Sequence, residues 1–210
     1  MPGPELLLAF LTATAVFAYV PGPAMLYATA RTLAGGRWSG LMAALGIHLG
    51  GYAHVLAAAA GLAALFHAVP TAYLLVKTAG AVYLVWLGLR MLMDRSAATA
   101  PADVEAPAAG RRAFFQSITV EVLNPKTAIF FVAFLPQFTD PAAALPVWAQ
   151  LLVLGTLVNV IFSTADLACV ALAGAAVHRL QRSARAQRVA RSAGGTVLVG
   201  LGAHLALMRG

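Results

Sequence analysis

Three charged side chains fall inside long apolar stretches of the sequence, where an ionised group is hard to accommodate. Glu121 and Lys126 lie five residues apart in one stretch, and Asp166 lies near the middle of the next. An ionised side chain that loses its water costs several kcal/mol unless a partner replaces that water. The formal charges sum to −1, so one carboxylate is left to hold a proton or the ammonium group of a ligand. The alternative is a structural ion pair beside a protonated acid. Lys126 could pair with either carboxylate or with a ligand's carboxylate.

Two of the apolar stretches are interrupted by proline, at Pro21–Pro23 in the first and at Asn124–Lys126 in the fourth. Proline donates no backbone hydrogen bond and frees the carbonyl four residues earlier, which predicts free carbonyls at Phe17, Tyr19 and Glu121. Free carbonyls can face a cation, and the N-terminus of the following helix can face an anion. An amino-acid zwitterion carries one group of each kind. The alternative interpretation is that the prolines only kink the helices for packing.

The composition excludes an ordinary soluble enzyme. Of the 210 residues, 61% are hydrophobic and 10% are charged, whereas soluble domains carry roughly 25% charged residues. A membrane-spanning helix needs about 20 apolar residues, so the chain has room for about six. We therefore predict an all-α integral membrane protein with six transmembrane helices, the first of which is too long to be a signal peptide. The expected spans are Leu6–Thr29, Ser39–Leu65, Val69–Met93, Ala113–Leu135, Pro146–Val177 and Val189–Met208.

The basic residues predict an orientation in the membrane. A net charge of +7 would suggest nucleic acid as the partner of a soluble protein, but here orientation explains the charge and no nucleic-acid partner is expected. Eleven of the 14 Lys and Arg residues lie in or beside alternate connections between the predicted spans. Because basic residues collect in cytoplasmic loops, we expect these connections inside the cell and both termini outside it. The eleven are Arg31, Arg37, Arg90, Arg95, Arg111, Arg112, Arg179, Arg182, Arg185, Arg188 and Arg191.

The two halves of the chain are similar to each other. The proline breaks fall in corresponding helices, and four residues of the third stretch recur in the sixth at one constant spacing. Repeats of three helices must insert with opposite orientation. This predicts an inverted 3+3 repeat with broken helices one and four, in which residues 1–93 form the first repeat, 94–112 a cytoplasmic linker and 113–210 the second repeat. The recurring pairs are Gly80/Gly194, Leu84/Leu198, Leu87/Leu201 and Gly88/Gly202, with Lys77 opposite Arg191.

Other polar residues of the apolar stretches complete the candidate site. Asn159 lies seven residues before Asp166 on nearly the same helix face. Asp166 is the first choice for a proton site, since no basic residue lies within two helical turns of it and apolar surroundings disfavour its charged form. His54 lies deep enough to relay a proton. We predict that the substrate-binding residues are Pro21, Gly22, Pro23, Glu121, Asn124, Pro125, Lys126 and Asn159, and that the proton-coupling residues are Asp166, Glu121 and His54.

Neither a cofactor nor an enzymatic reaction is expected. His48 and His54 are six residues apart on different faces of one helix, which is poor geometry for a metal. The sequence contains no phosphate-binding glycine loop and no serine, histidine and acid pattern. The connections are also too short for a soluble catalytic domain, which argues against a pump with its own ATP site.

Four motifs carry a resemblance to a known family. They are Val20-Pro21-Gly22-Pro23, Leu45-Gly46 with Gly50, the segment from Lys77 through Gly80 to Gly88, and Asn124-Pro125-Lys126 followed by Phe130-Phe131 and Phe134–Phe138. At these positions the sequence resembles the LysE/RhtB family of bacterial amino-acid exporters. The resemblance implies a secondary carrier in the bacterial inner membrane that exports amino acids or their derivatives by proton antiport.

Several alternatives stay open beside that resemblance. An exporter of another small solute, a metal or an organic cation, is the main one, because it could use the same scaffold. A passive channel would need a continuous polar stripe, and a membrane scaffold would need no charges in its core. The expected partners are an amino-acid substrate, protons and membrane lipid, with a homodimer as a further option.

Overall fold

The computed structural model describes residues 3–93, 110–172 and 183–207, and these residues are almost entirely helical. No strand occurs among them, so the predicted all-α class is confirmed for this part of the chain. Most of the predicted linker, and the segment 173–182, lie outside the described residues. The elements are α1 (Pro4–Ala18), α2 (Pro23–Leu56), a π-helical segment (Ala57–Leu62), α3 (Ala63–Ala68), α4 (Pro70–Met93), α5 (Gly110–Val122), α6 (Pro125–Phe134), a 3-10 turn (Leu135–Phe138), α7 (Val147–Leu172) and α8 (Ala184–Leu207).

Helix α2 folds back on itself at Gly36. This residue has φ 75° and ψ 177°, a conformation that glycine adopts without steric cost. Thr32 and Gly40 would be about 12 Å apart along a straight helix, yet they lie in contact. Buried alanines from both sides of the reversal also pack in one cluster. Helix α2 is therefore a hairpin of two antiparallel helices, here called the first arm (23–35) and the second arm (37–56).

Arg31 lies within the first arm and not in a connection. Its side chain is 4% exposed, and its Nε donates to the Tyr27 hydroxyl at 2.9 Å. One of its terminal nitrogens donates to Gln116 Oε1 of α5. Arg31 thus lies beside the reversal rather than within a loop, because the helix continues beyond the expected end of the first span as far as Gly36.

Several helices are long and apolar enough to cross a membrane. Two such stretches are Pro23–Ala68, which includes the reversal, and Val147–Leu172. The pair Gly110–Val122 and Pro125–Phe138, bent by 45°, makes a third if it is one span. The described residues thus hold two or three candidate spans, and the six-span inverted repeat stays a prediction. Shorter apolar helices are Pro4–Ala18 and Thr71–Trp86.

Two glycines of the second arm let α5 approach closely. A Cβ atom at Gly50 would lie 2.8 Å from the carbonyl oxygen of Ile118, and one at Gly46 would overlap the carbonyl oxygen of Phe114. Backbone atoms cannot move aside cheaply, so only glycine fits at these positions. Small residues at such positions let helix backbones approach closely, as is common in membrane proteins. The contact also holds Glu121, near the C-terminus of α5, against α2.

A column of phenylalanine rings joins α1 to α6. The ring centres of Phe17 and Phe130 are 4.5 Å apart, and those of Phe130 and Phe134 are 4.2 Å apart. The column continues from Phe134 to Phe10 at 5.5 Å and from Phe10 to Phe138 at 5.1 Å. Stacked and edge-to-face rings at these distances attract one another beyond their simple burial, so α1 and α6 are held together along most of the length of α1.

We expect Gly50→Ala to destabilise the protein by about 1–3 kcal/mol, because the new methyl group overlaps the Ile118 carbonyl and forces α2 and α5 apart. Gly61→Ala is the matched control, since nothing lies within 4 Å of a Cβ atom there. The control should leave stability unchanged or raise it slightly, because alanine favours helix over glycine. Thermal unfolding of the purified proteins in detergent measures both, and equal melting temperatures would contradict the proposed close contact.

Candidate functional site

The two proline breaks line one cavity. Gly22 is the N-cap of α2 and Asn124 is the N-cap of α6. Pro23 and Pro125 take the first position of these helices, where a backbone donor is not needed. Both N-cap residues lie on the wall of the same cavity. The structure therefore brings together the two breaks that the sequence places in separate halves of the chain.

The cavity is narrow in this structure. Its volume is about 20 Å³, which is room for about one water molecule. An amino acid needs several times that space. The breaks or the helices beside them must therefore move before a ligand of that size can enter.

The ammonium group of Lys126 fills one end of the cavity. Its Nζ donates to the carbonyl oxygen of Phe17 at 3.1 Å and to that of Val20 at 2.5 Å. It also lies 4.7 Å from the centre of the Phe17 ring and 5.7 Å from that of Phe162. The Phe17 carbonyl is one that the sequence predicts to be freed by Pro21. A cation does occupy it, and that cation is the protein's own lysine.

The side chains around the second break hold Glu121 from two directions. Its carboxylate accepts a hydrogen bond from Asn124 Nδ2 at 2.9 Å, and its backbone carbonyl lies 2.8 Å from His54 Nε2. A carbonyl oxygen only accepts, so His54 carries its proton on Nε2. Asn124 Oδ1 in turn accepts from the backbone N–H of Lys126 at 3.1 Å. The carbonyl freed by Pro125 is thus partnered by a histidine of the other half of the chain.

Two hydrogen bonds of opposite direction, one between Asn159 and His48 and one between His48 and Ser163, join the second arm of α2 to α7. Asn159 Nδ2 donates to the carbonyl of His48 at 3.0 Å, and the Ser163 hydroxyl donates to the carbonyl of Asn159 at 2.8 Å. The only hydroxyl proton of Ser163 is used in that bond. His48 Nδ1 lies 2.7 Å from the Ser163 hydroxyl oxygen and is therefore the donor in this second contact. Asn159 also packs against Gly51. This arrangement fixes the wall on which Asp166, 5% exposed, lies.

Most of the predicted site residues meet at the cavity. Those on its wall are Gly22, Glu121, Asn124, Lys126, Asn159 and Asp166. The described contacts of Lys126 go to the carbonyls and rings of the first break rather than to either carboxylate. The predicted residues that are not among the described wall residues are Pro21, Pro23, Pro125 and His54. The prolines act on the site by ending and starting helices, and His54 acts through the carbonyl of Glu121.

The sequence analysis missed several residues of the site. Thr127 and Ser163 line the cavity, and Ser163 could have been found because it lies on the same helix face as Asn159 and Asp166. The ring of Phe162 beside the lysine could not be found, since one phenylalanine among many apolar residues gives no signal.

In the part of the chain that the structure describes, these features define an all-helical protein with candidate membrane spans and a narrow internal cavity lined by charged side chains. Among the residues that the structure describes, no group of three or more His, Cys, Asp or Glu side chains could hold a metal ion. The family model of LysE type translocators matches residues 15–209. The chain therefore belongs to the LysE type translocator family, as the resemblance of its motifs indicated.

Individual relatives agree with this membership. A leucine efflux protein of Klebsiella pneumoniae is 30% identical over 96% of this chain and 95% of its own length. A leucine efflux protein of Salmonella typhimurium is 28% identical over 95% of this chain and 94% of its own. An uncharacterized membrane protein of Vibrio cholerae is 34% identical over 70% of this chain and 71% of its own. No solved structure matches the chain.

Substitutions of Asn124 separate its two roles. We expect Asn124→Ala to lose about 1 kcal/mol of stability, because α6 loses the acceptor at its N-cap. Asn124→Ser keeps a cap acceptor and removes only the amide that donates to Glu121, so it should lose less. Thermal unfolding of both purified variants compares them. A serine variant as unstable as the alanine variant would mean that the cap is not what Asn124 contributes.

Proposed function

We propose that this protein is a secondary active transporter that exports amino acids or amino-acid derivatives across the bacterial inner membrane. The observation that carries the proposal is the pairing of opposite helix ends around one narrow cavity. The carbonyls at the end of α1 hold a cation, which is now the Lys126 ammonium. The first N–H groups of α2, at Ala24 and Met25, have no acceptor within the helix, and both residues line the same cavity. An amino acid presents an ammonium and a carboxylate to these two ends.

The substrate we favour is an apolar amino acid such as leucine. The relatives named leucine efflux protein cover nearly the whole chain. The wall of the cavity also carries the apolar side chains of Met25, Ile47 and Phe162, which suit an aliphatic side chain. An organic cation is the second candidate, because the rings of Phe17 and Phe162 face the ammonium position and aromatic faces attract such cations.

Proton antiport is the energy source we propose. No nucleotide-binding motif occurs in the sequence, so an external gradient must drive export. Glu121 and Asp166 are both buried on the cavity wall, together with the one lysine. Two acids and one base leave a carboxylate that can take up and release a proton during each cycle. We assign the proton to Asp166 and a role in substrate binding to Glu121.

The inverted repeat and its orientation belong to the same proposal. The basic ends of both broken helices lie together, since Gly110 at the start of α5 is next to Trp38, just beyond the α2 reversal. Helices α4 and α8, the third and sixth of the predicted repeat, pack along each other. Six helices in two inverted halves, with this basic end in the cytoplasm and both termini outside, fit these contacts.

Reporter fusions test the orientation. After Arg95, a reporter that works only in the cytoplasm should be active and one that works only outside it should be inactive, because basic residues stay on the cytoplasmic side. After Gly210 the two reporters should give the opposite result. A cytoplasmic C-terminus would overturn the orientation while leaving the family assignment untouched.

Substitution of the two carboxylates tests the coupling. We expect Asp166→Asn to insert normally and to lose export driven by an imposed pH gradient, because the amide cannot carry a proton. Glu121→Gln should respond to the gradient but need more substrate. The measurement is leucine efflux from preloaded vesicles with and without the gradient. If Asp166→Asn responds to the gradient as the parent protein does, the proton site is not Asp166.

A further inference from the structure

The cation site at the end of α1 has the chemistry of a primary ammonium site. Two carbonyl oxygens accept hydrogen bonds from Lys126 Nζ, and the rings of Phe17 and Phe162 face the same nitrogen. The carbonyls belong to Phe17 and Val20, at the C-terminal end of a helix, where the helix dipole adds negative potential. We call these two carbonyls and two rings the ammonium cage.

The first break is shaped to let the lysine reach the cage. A Cβ atom at Gly22 would lie 2.6 Å from Lys126 Cδ and 3.3 Å from Lys126 Nζ. Gly22 has φ −140° and ψ 177°, which is extended backbone that any residue can adopt. The backbone therefore does not require glycine here. The space taken by the lysine side chain does.

We propose that Lys126 is a tethered competitor of the substrate's ammonium group for the cage. This inference rests on the proposed function and names the residue that controls substrate entry to the site. Until a substrate binds, Lys126 fills the cage. When a substrate binds, its ammonium takes the two carbonyls and Lys126 leaves.

Charge opposes simultaneous occupation of the cage. Two positive charges sharing two carbonyls would repel each other strongly in a site of low dielectric constant. The displaced Lys126 has acceptors on the same wall, because Glu121 and Asp166 line the cavity with it.

The competition has a consequence for the transport cycle. A carrier that returns without substrate needs its cage filled, since a helix end without a counter-charge is unfavourable away from water and the Phe17 carbonyl would keep only the N–H of Val20 as a donor. Lys126 supplies that cation on the return step. A carrier that exchanges one substrate for another never makes the return step empty, so it does not need the lysine there.

The test compares exchange with net efflux in vesicles that contain the purified full-length protein. Lys126→Met keeps the length of the side chain and removes its charge. We expect the ratio of net efflux to leucine–leucine exchange to fall by about tenfold or more relative to the parent, as the return-competent state loses population. Gly22→Ala blocks the path of the lysine without removing the lysine. It should therefore also lower net efflux more than leucine–leucine exchange.

Lys77→Met is the matched control. Lys77 Nζ also donates to a carbonyl, that of Thr139 at 3.4 Å, and lies 5.0 Å from the centre of the Tyr73 ring. It is not among the described residues of the cavity wall, so both rates should stay near those of the parent. If exchange and net efflux fall together in Lys126→Met, or if neither falls, the proposal is overturned. Where this variant does not fold, Gly22→Ala decides by the same criterion.

A second measurement does not depend on transport. Lys126→Ala leaves the cage without its cation, so ethylammonium chloride should raise the melting temperature of this variant and not that of the parent, with sodium chloride as the salt control. The absence of such a difference overturns the cage. If the parent protein moves no amino acid in either transport mode while ethylammonium still stabilises the variant, the proposed export function fails and the cage stands.

Discussion

Every backbone polar group inside a membrane needs a partner from the protein itself, and this requirement organises the structure around the two broken helices. Each break exposes a carbonyl that accepts one backbone hydrogen bond, from Val20 to Phe17 and from Asn124 to Glu121. Each of these carbonyls also accepts a second bond from a side chain of the other half of the chain. Lys126 of the second half donates to Phe17 in the first, and His54 of the first half donates to Glu121 in the second. The exchange of partners makes the two breaks mutually dependent.

The remaining polar contacts hold the helices that carry these partners. Glycines of the second arm bring α5 so close that Glu121 sits against α2. The pair formed by Asn159 and His48 fixes α7 to the same arm. The cavity wall is thus assembled largely from helices that are bound to α2, which explains how a site of charged groups stays narrow, with room for little more than one water molecule.

The sequence predicts the chemistry of the site better than its geometry. A charge or a proline in an apolar stretch is conspicuous, because both are unfavourable in lipid, and this alone identifies Glu121, Lys126, Asp166 and the two breaks. The sequence does not decide whether Lys126 pairs with Glu121, with Asp166 or with a ligand's carboxylate, since the angle at a helix break depends on tertiary packing. The helix that contains Arg31 runs past the expected span end at Thr29 to Gly36 for a related reason: a helix that reverses at one glycine has the same composition as a loop flanked by two spans.

The two broken helices are joined on both sides of the cavity, but by bonds of different kinds. On one side the phenylalanine column binds α1 to α6. On the basic side, Arg31 and Gln116 bind the first arm of α2 to α5 by polar contacts. Separating the helices on the aromatic side admits water to apolar surface, so the heat capacity rises. Separating the helices on the polar side changes the heat capacity little or lowers it. Temperature therefore shifts the balance between opening on one side and opening on the other, and cooling favours hydration of the aromatic side.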